Sequence, residues 1–204
     1  MRIKKTIKLN DNLFRIDNIF PAKVVNKFYS IFNKNSKWKR INQIRKNHYK
    51  TILKKKLDIW PTTKEIYYAD FFRALNLEKD IYINNSIKKY IIPILKKKFN
   101  IINYEIRCHK FLPGQFLRAH FDHYISRVAV TINLNKTWKA DWGGLLCVIN
   151  DQNKKITTLV PEWNSMNILI SKNKKPSDRK SGHFVTSVEK YACENRFSIT
   201  IFSK

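Results

Sequence analysis

An α+β fold with a mainly β core is what the sequence predicts: a jelly-roll barrel with N-terminal helices packed on one face. A change of pattern carries that expectation. Apolar residues recur at spacings of three and four in the first half of the chain, whereas from Ile101 onward the period falls to two, with β-branched and aromatic residues between turn signals. Length adds a constraint, because 204 residues supply one core-bearing domain and are too few for two ordinary ones. A single domain over 1–204 is expected, with 1–100 as helical support and 101–204 as the barrel.

The first helix is predicted over 21–32, where Val24, Val25, Phe28, Ile31 and Phe32 line one face. A second is predicted over 63–77, with Ile66, Tyr67, Asp70, Phe71, Ala74 and Leu75 at helical spacing and Thr62 or Thr63 as its cap. The third covers 86–99 and should be kinked or split by Pro93, which has no N–H to donate. Between the first two helices, 33–57 is rich in Lys, Arg and Asn and reads as loop with a short helix or strand and some disorder. Strands are predicted at 104–111, 117–122, 127–133, 144–150, 156–160, 166–170, 183–188 and 196–202. Short strands separated by turns make a closed or sandwiched antiparallel sheet, not a parallel one.

Composition narrows the setting. The longest apolar runs, 90–95 and 166–170, are far short of the roughly 20 residues that span a bilayer, so no membrane span is expected. The basic segment 1–9 alternates Lys and Ile without an apolar stretch or cleavage site, which makes a cytoplasmic location the expectation. Cys108, Cys147 and Cys193 are odd in number and lack CxxC spacing, so they read as buried thiols, neither disulfides nor zinc ligands. The net charge of +26 would suit a polyanion, but only 10 of the 41 cationic residues are Arg, and Arg is the side chain that reads bases and phosphates bidentately. The charge is therefore read as a solvated Lys surface, with nucleic acid disfavoured as a partner.

The chemistry gathers at His120-Phe121-Asp122. Residues i and i+2 of a strand share a face, so the imidazole and the carboxylate can serve one ion. A third ligand must come from His183, His109, His123 or His48. Two imidazoles and a carboxylate on one face of Fe(II) leave the opposite positions open for a cosubstrate and oxygen. The last strand strengthens this reading. Its alternation puts Phe197, Ile199 and Ile201 on one face and Arg196, Ser198 and Thr200 on the inward one, and a buried guanidinium needs an anion.

These residues resemble those of a known family. The run Phe111-Leu112-Pro113-Gly114-Gln115-Phe116-Leu117-Arg118-Ala119-His120-Phe121-Asp122, then Leu134 to Trp138, Asp141-Trp142-Gly143-Gly144-Leu145-Leu146, Pro161 to Asn164, Gly182-His183-Phe184-Val185 and Arg196-Phe197-Ser198 are similar in order and spacing to the iron(II)- and 2-oxoglutarate-dependent oxygenases, within them the prolyl-4-hydroxylase-like group. The resemblance extends back to Ile16-Asp17-Asn18-Ile19-Phe20-Pro21. It implies a double-stranded β-helix in which His120, Asp122 and His183 hold iron, Arg196 binds the distal carboxylate of 2-oxoglutarate, and Ser198 assists. It also implies O2 as cosubstrate, ascorbate as a stimulant, and decarboxylation of 2-oxoglutarate to succinate coupled to hydroxylation of a C–H bond. The substrate would be a prolyl residue of a protein, a free amino acid or a small metabolite. Two departures stand out. Phe111 takes a position where many relatives have Tyr, and near Asn133 some relatives have a Tyr that contacts the cosubstrate, for which the resemblance makes Asn133 the substitute. The acid at Asp122, which halogenating relatives lack, favours hydroxylation. An AlkB-like nucleic-acid demethylase would carry a second Arg six residues after the first, and position 202 is Phe. A non-catalytic basic jelly roll that binds nucleic acid would have no need of the intact triad.

Overall fold

The computed structural model describes residues 6–46, 65–122, 126–150, 155–171 and 182–203. Within them the chain forms β1 (Thr6–Asn10), β2 (Leu13–Ile16), α1 (Ala22–Lys34), β3 (Lys39–Lys46), β4 (Glu65–Arg73), α2 (Leu75–Glu78), α3 (Ile81–Tyr90) and α4 (Ile92–Phe99). The second half contributes β5 (Tyr104–Phe111), β6 (Phe116–His120), β7 (Val128–Asn133), a 3-10 turn (Ala140–Trp142), β8 (Leu146–Ile149), β9 (Ile156–Leu159), β10 (Ser165–Ile170), β11 (Gly182–Val185) and β12 (Arg196–Ser203). Every predicted strand is present.

The strands run in the order β1-β2-β10-β7-β12-β5-β4-β6-β11-β8-β9, with β3 added to β4. All the pairings are antiparallel. The sheet curls at β4. Phe72 and Arg73 of that strand pair with Lys110 and His109 of β5, while Ala69 and Asp70 pair with Leu117 and Phe116 of β6, so one strand joins the two walls. The result is a jelly-roll double-stranded β-helix.

Period-two patterning gives the large wall two different faces. Its outer face sets Ile106, Cys108, Val130, Ile132, Ile168 and Ile199 against Val25, Phe28 and Phe32 of α1 and Ile83 and Ile87 of α3 in one buried cluster. The helices therefore pack on one face, as their apolar stripes require. Asp80 caps α3 by accepting a hydrogen bond from the Ile83 N–H at 2.9 Å. The helix expected over 86–99 is indeed split: α3 ends at Tyr90 and α4 begins at Ile92, with Pro93 in its first turn, where a missing N–H breaks no ladder.

The first half departs from expectation in other places. The predicted helix over 63–77 is β4 followed by the single turn α2. Its segment Tyr67-Tyr68-Ala69-Asp70-Phe71-Phe72 carries aromatic residues that suit a pleated surface, and β3, β5 and β6 all offer it ladder hydrogen bonds. Tertiary pairing overrides the helical spacing. The strand admitted within 33–57 is β3; the part of that stretch beyond Lys46, which includes His48, lies outside the described residues, so the disorder expected within 33–57 is not tested there. The β1–β2 hairpin has no counterpart in the sequence reading. Cys108 and Cys147 are buried, but Cys193 is exposed. No helix among the described residues is long and apolar enough to cross a membrane.

Two asparagines fasten the frame. Asn164, at φ 55°, accepts from the Phe20 N–H and donates to the Phe20 carbonyl, both at 2.9 Å, tying the approach to α1 onto β10. Asn135 donates to the Asn195 carbonyl at 2.7 Å and accepts from the Phe197 N–H at 3.1 Å, which sets the start of β12. The helix layer itself depends on aromatic packing. Phe28 is fully buried, edge-on to Phe20 with centroids 5.0 Å apart and to Tyr82 at 6.0 Å. Phe28→Ala should destabilise the fold by about 3–5 kcal/mol, read as a lower urea midpoint with an unchanged slope.

Candidate active site

The inner face of the large wall is polar where an ordinary core would be apolar. Thr131, Asn167, Arg196, Ser198 and Thr200 line a cavity of about 70 Å³, several times the 10–15 Å³ that one water needs. His120, Asp122 and His183 close it from the small wall.

Strand register builds the triad. His183 of β11 pairs directly with His120, the last residue of β6, and their rings lie 4.3 Å apart. β6 ends there, so Asp122 sits just past the strand, its carbonyl accepting from the Ser126 N–H at 2.7 Å. The carboxylate still reaches both imidazoles: Oδ1 is 3.5 Å from His120 Nε2 and Oδ2 is 3.2 Å from His183 Nε2. Ligand atoms of the three residues all lie within 4.8 Å of one another, and all three residues are buried. His120 Nδ1 is 2.8 Å from the Arg118 carbonyl, which can only accept. Nδ1 therefore carries the proton and Nε2 keeps its lone pair. Burial, and next the neighbouring His183, push the His120 pKa down. Burial by itself would raise the Asp122 carboxyl, but His183 and His120 outweigh it and hold the group well below the usual carboxylate range. Two imidazole nitrogen donors beside an ionised carboxylate fit a divalent iron.

Arg196 faces the triad across the cavity. It is 2% exposed, its Nε has no hydrogen-bond partner among the described residues, and Nη1 reaches only the Ser198 hydroxyl at 3.5 Å. Its guanidinium lies 5.1 Å from the Phe111 ring centre. Burial pushes its pKa down to about 10. No carboxylate of the described residues pairs with it, so an unneutralised cation with a free donor points to a small anion as ligand. A dicarboxylate such as 2-oxoglutarate fits.

The Gly-Gly pair makes room for this cation. Gly143 has φ 65°, and a Cβ there would fall 2.0 Å from the Ser187 carbonyl oxygen. At Gly144, φ 60°, a Cβ would fall 2.9 Å from Cδ of Arg196 and 3.0 Å from Trp138. These glycines are a turn, as expected, and also the surface on which the Arg196 stem lies.

The other sequence candidates divide. Asn133 is on the inward face but donates to the Ser165 hydroxyl at 3.0 Å and is not among the cavity-lining residues. His109 lines the cavity without joining the triad. His123 lies outside the described residues. Asn167 was not anticipated: it is 2% exposed, lines the cavity, and its Oδ1 has no partner among the described residues. Alternation along 166–170 was the signal, since it puts Asn167 on the face opposite Met166 and Ile168. Phe202 also lines the cavity, so position 202 brings no cation.

Comparison with known proteins agrees with this geometry. Residues 106–203 match the family model of the 2OG-Fe(II) oxygenase superfamily. Those residues carry a 2OG-Fe(II) oxygenase domain. Enzymes of this superfamily are oxidoreductases that use Fe(II), 2-oxoglutarate and O2. No protein with a curated description matches the chain in sequence. Among solved structures, the oxygenase is similar in fold to a Trichoplax adhaerens prolyl hydroxylase in complex with a hypoxia-inducible factor peptide, with TM-score 0.66, 15% identity, and coverage of 95% of this chain and 84% of that one. A Pseudomonas putida prolyl-4-hydroxylase gives TM-score 0.62 at 14% identity, covering 95% and 92%. A viral collagen prolyl hydroxylase from Paramecium Bursaria Chlorella virus-1, in complex with 2-oxoglutarate, gives 0.56 at 13%, covering 95% and 96%. Identities this low speak for the fold.

The Gly144 geometry generates a test. Gly144→Ala should weaken the gain in melting temperature that 2-oxoglutarate confers on the metal-loaded oxygenase, because the Arg196 stem must shift by several tenths of an ångström. Thermal melts with and without the cosubstrate check this.

Proposed function

We propose that the oxygenase works as a single domain and hydroxylates a C–H bond of a prolyl residue in a peptide or protein, coupled to decarboxylation of 2-oxoglutarate to succinate. The observation that carries the reading is the buried His-Asp-His cluster facing a buried, anion-free Arg196 across one cavity. His120, Asp122 and His183 hold the iron. Arg196, with Ser198 beside it, takes the distal carboxylate. Iron supplies the oxidising chemistry once cosubstrate and oxygen are bound; the chain's own residues bind, orient and exclude water.

Peptide specificity draws on two supports. The similar folds include enzymes named as prolyl hydroxylases, one of them holding a peptide. In this chain, β3 pairs only with β4 among the described residues and presents the exposed cross-strand pair Ile44 and Tyr67. The neighbouring Tyr68 is buried, edge-on to His120 with centroids 5.8 Å apart. An open strand edge that carries exposed apolar side chains suits an extended chain. The Lys-dominated charge gives nucleic acid no comparable readout.

The test is anaerobic titration with Fe(II) and 2-oxoglutarate, followed by succinate release against prolyl peptides, free amino acids and methylated nucleic acids. The wild type should develop the weak visible band of the ternary complex, and His183→Ala should lose it. Arg196→Ala should keep its metal affinity and raise the apparent 2-oxoglutarate constant by about tenfold to several hundredfold, since hydrogen bonds to charged groups contribute roughly 1.5–3 kcal/mol and a stranded carboxylate costs more. Stimulation of succinate release by methylated nucleic acid alone would overturn the reading.

A further inference from the structure

Phe111 leaves the cavity without a phenol, yet the same face of β5 carries a polar ring two residues earlier. His109 lines the cavity, directly opposite Ser198 in the β5–β12 ladder and two rungs from the Arg196–Phe111 pair. Its ring is held edge-on to Phe71, centroids 5.2 Å apart, and Phe71 in turn stacks on Phe111 at 5.4 Å. Nδ1 lies 3.2 Å from the Thr200 hydroxyl.

That contact is compatible with a tautomer that bears its hydrogen on Nε2. The buried Thr200 side chain has no other hydrogen-bond partner among the described residues, so unless its hydroxyl donates to Nδ1 its proton is left unused. Nδ1 then accepts and Nε2 bears the hydrogen. Nothing among the described residues hydrogen-bonds to Nε2. Burial, and next the guanidiniums of Arg73, Arg107 and Arg196, push the His109 pKa down to about 3, so the ring stays neutral at any working pH. The ring shares its cavity with Arg196 and with the triad.

We propose that His109 is a further cosubstrate-binding residue, its Nε2–H donating to a carboxylate oxygen of 2-oxoglutarate in place of the hydroxyl that Phe111 lacks. The proposal rests on the oxygenase reading above and deepens it. A neutral donor adds a directed hydrogen bond without adding another buried charge beside Arg196.

The test is calorimetric titration of 2-oxoglutarate into the Mn(II)-loaded full chain, where binding is read without turnover. His109→Phe keeps an aromatic ring against Phe71 and removes the donor; it should raise Kd about tenfold or more, leaving Mn(II) affinity and the cosubstrate-free melting temperature unchanged. His109→Gln, which restores an N–H near the Nε2 position, should recover part of the affinity. Thr200→Val frees the tautomer while keeping the shape, and should raise Kd severalfold even if His109→Phe fails to fold. Wild-type Kd in either His109→Phe or Thr200→Val would overturn the proposal. Affinity lost in Arg196→Ala but kept in His109→Phe sinks this inference alone, whereas no binding of 2-oxoglutarate by the wild type sinks the oxygenase reading with it.

Discussion

A guanidinium sealed inside a barrel without a carboxylate of its own is the constraint around which this molecule is arranged. Taking an isolated cation out of water costs several kcal/mol or more unless an anion or a full set of hydrogen bonds answers it, and Arg196 has neither among the described residues. Its surroundings hold it from several sides. Asn135 fixes the strand start from the Phe197 amide, Gly144 lets the stem lie flat, and Phe111 offers its ring. An anionic ligand therefore does more than occupy a pocket: it completes the electrostatics of the domain.

Strand alternation explains how one sheet carries both the stability and the chemistry. Phe197, Ile199 and Ile201 of β12 face the helices in the main apolar cluster, while Arg196, Ser198 and Thr200, each one residue away, face the cavity. A one-residue slip of β12 would exchange the two sets and destroy both. The eight-residue ladder with β5 and the partly overlapping one with β7 hold that register. Stability of the outer face and geometry of the inner face are thus one quantity.

The site gathers its charges around one cavity. Asp122 stays ionised beside two imidazoles, Arg196 stays cationic on the large wall, and His109 stays neutral in the same cavity. In the proposed reading a dicarboxylate with a keto group meets a metal site, a neutral donor and a cation there. The 41 cationic residues of the chain are a separate matter, being mostly Lys; among the described ones only Arg196 lines this cavity.

Local chemistry was enough to read much of this. Period-two patterning from Ile101 onward determined the strands, the spacing of His120 and Asp122 determined that two ligands come together, and the alternation in 196–202 determined that Arg196 points inward, because each of these depends only on backbone geometry over a few residues. What needed the tertiary structure depends on partners distant in sequence. The 63–77 segment is a strand because β3, β5 and β6 offer it ladders, and helical spacing alone cannot register such offers. His183 stands beside His120 only through the β6–β11 register, 63 residues apart, so from spacing alone it had no advantage over His109 or His123. His109 itself reads as an ordinary half-buried histidine until Thr200, Phe71 and Arg196 surround it. Side-chain direction is written in the local sequence; which side chains meet is decided by which strands pair.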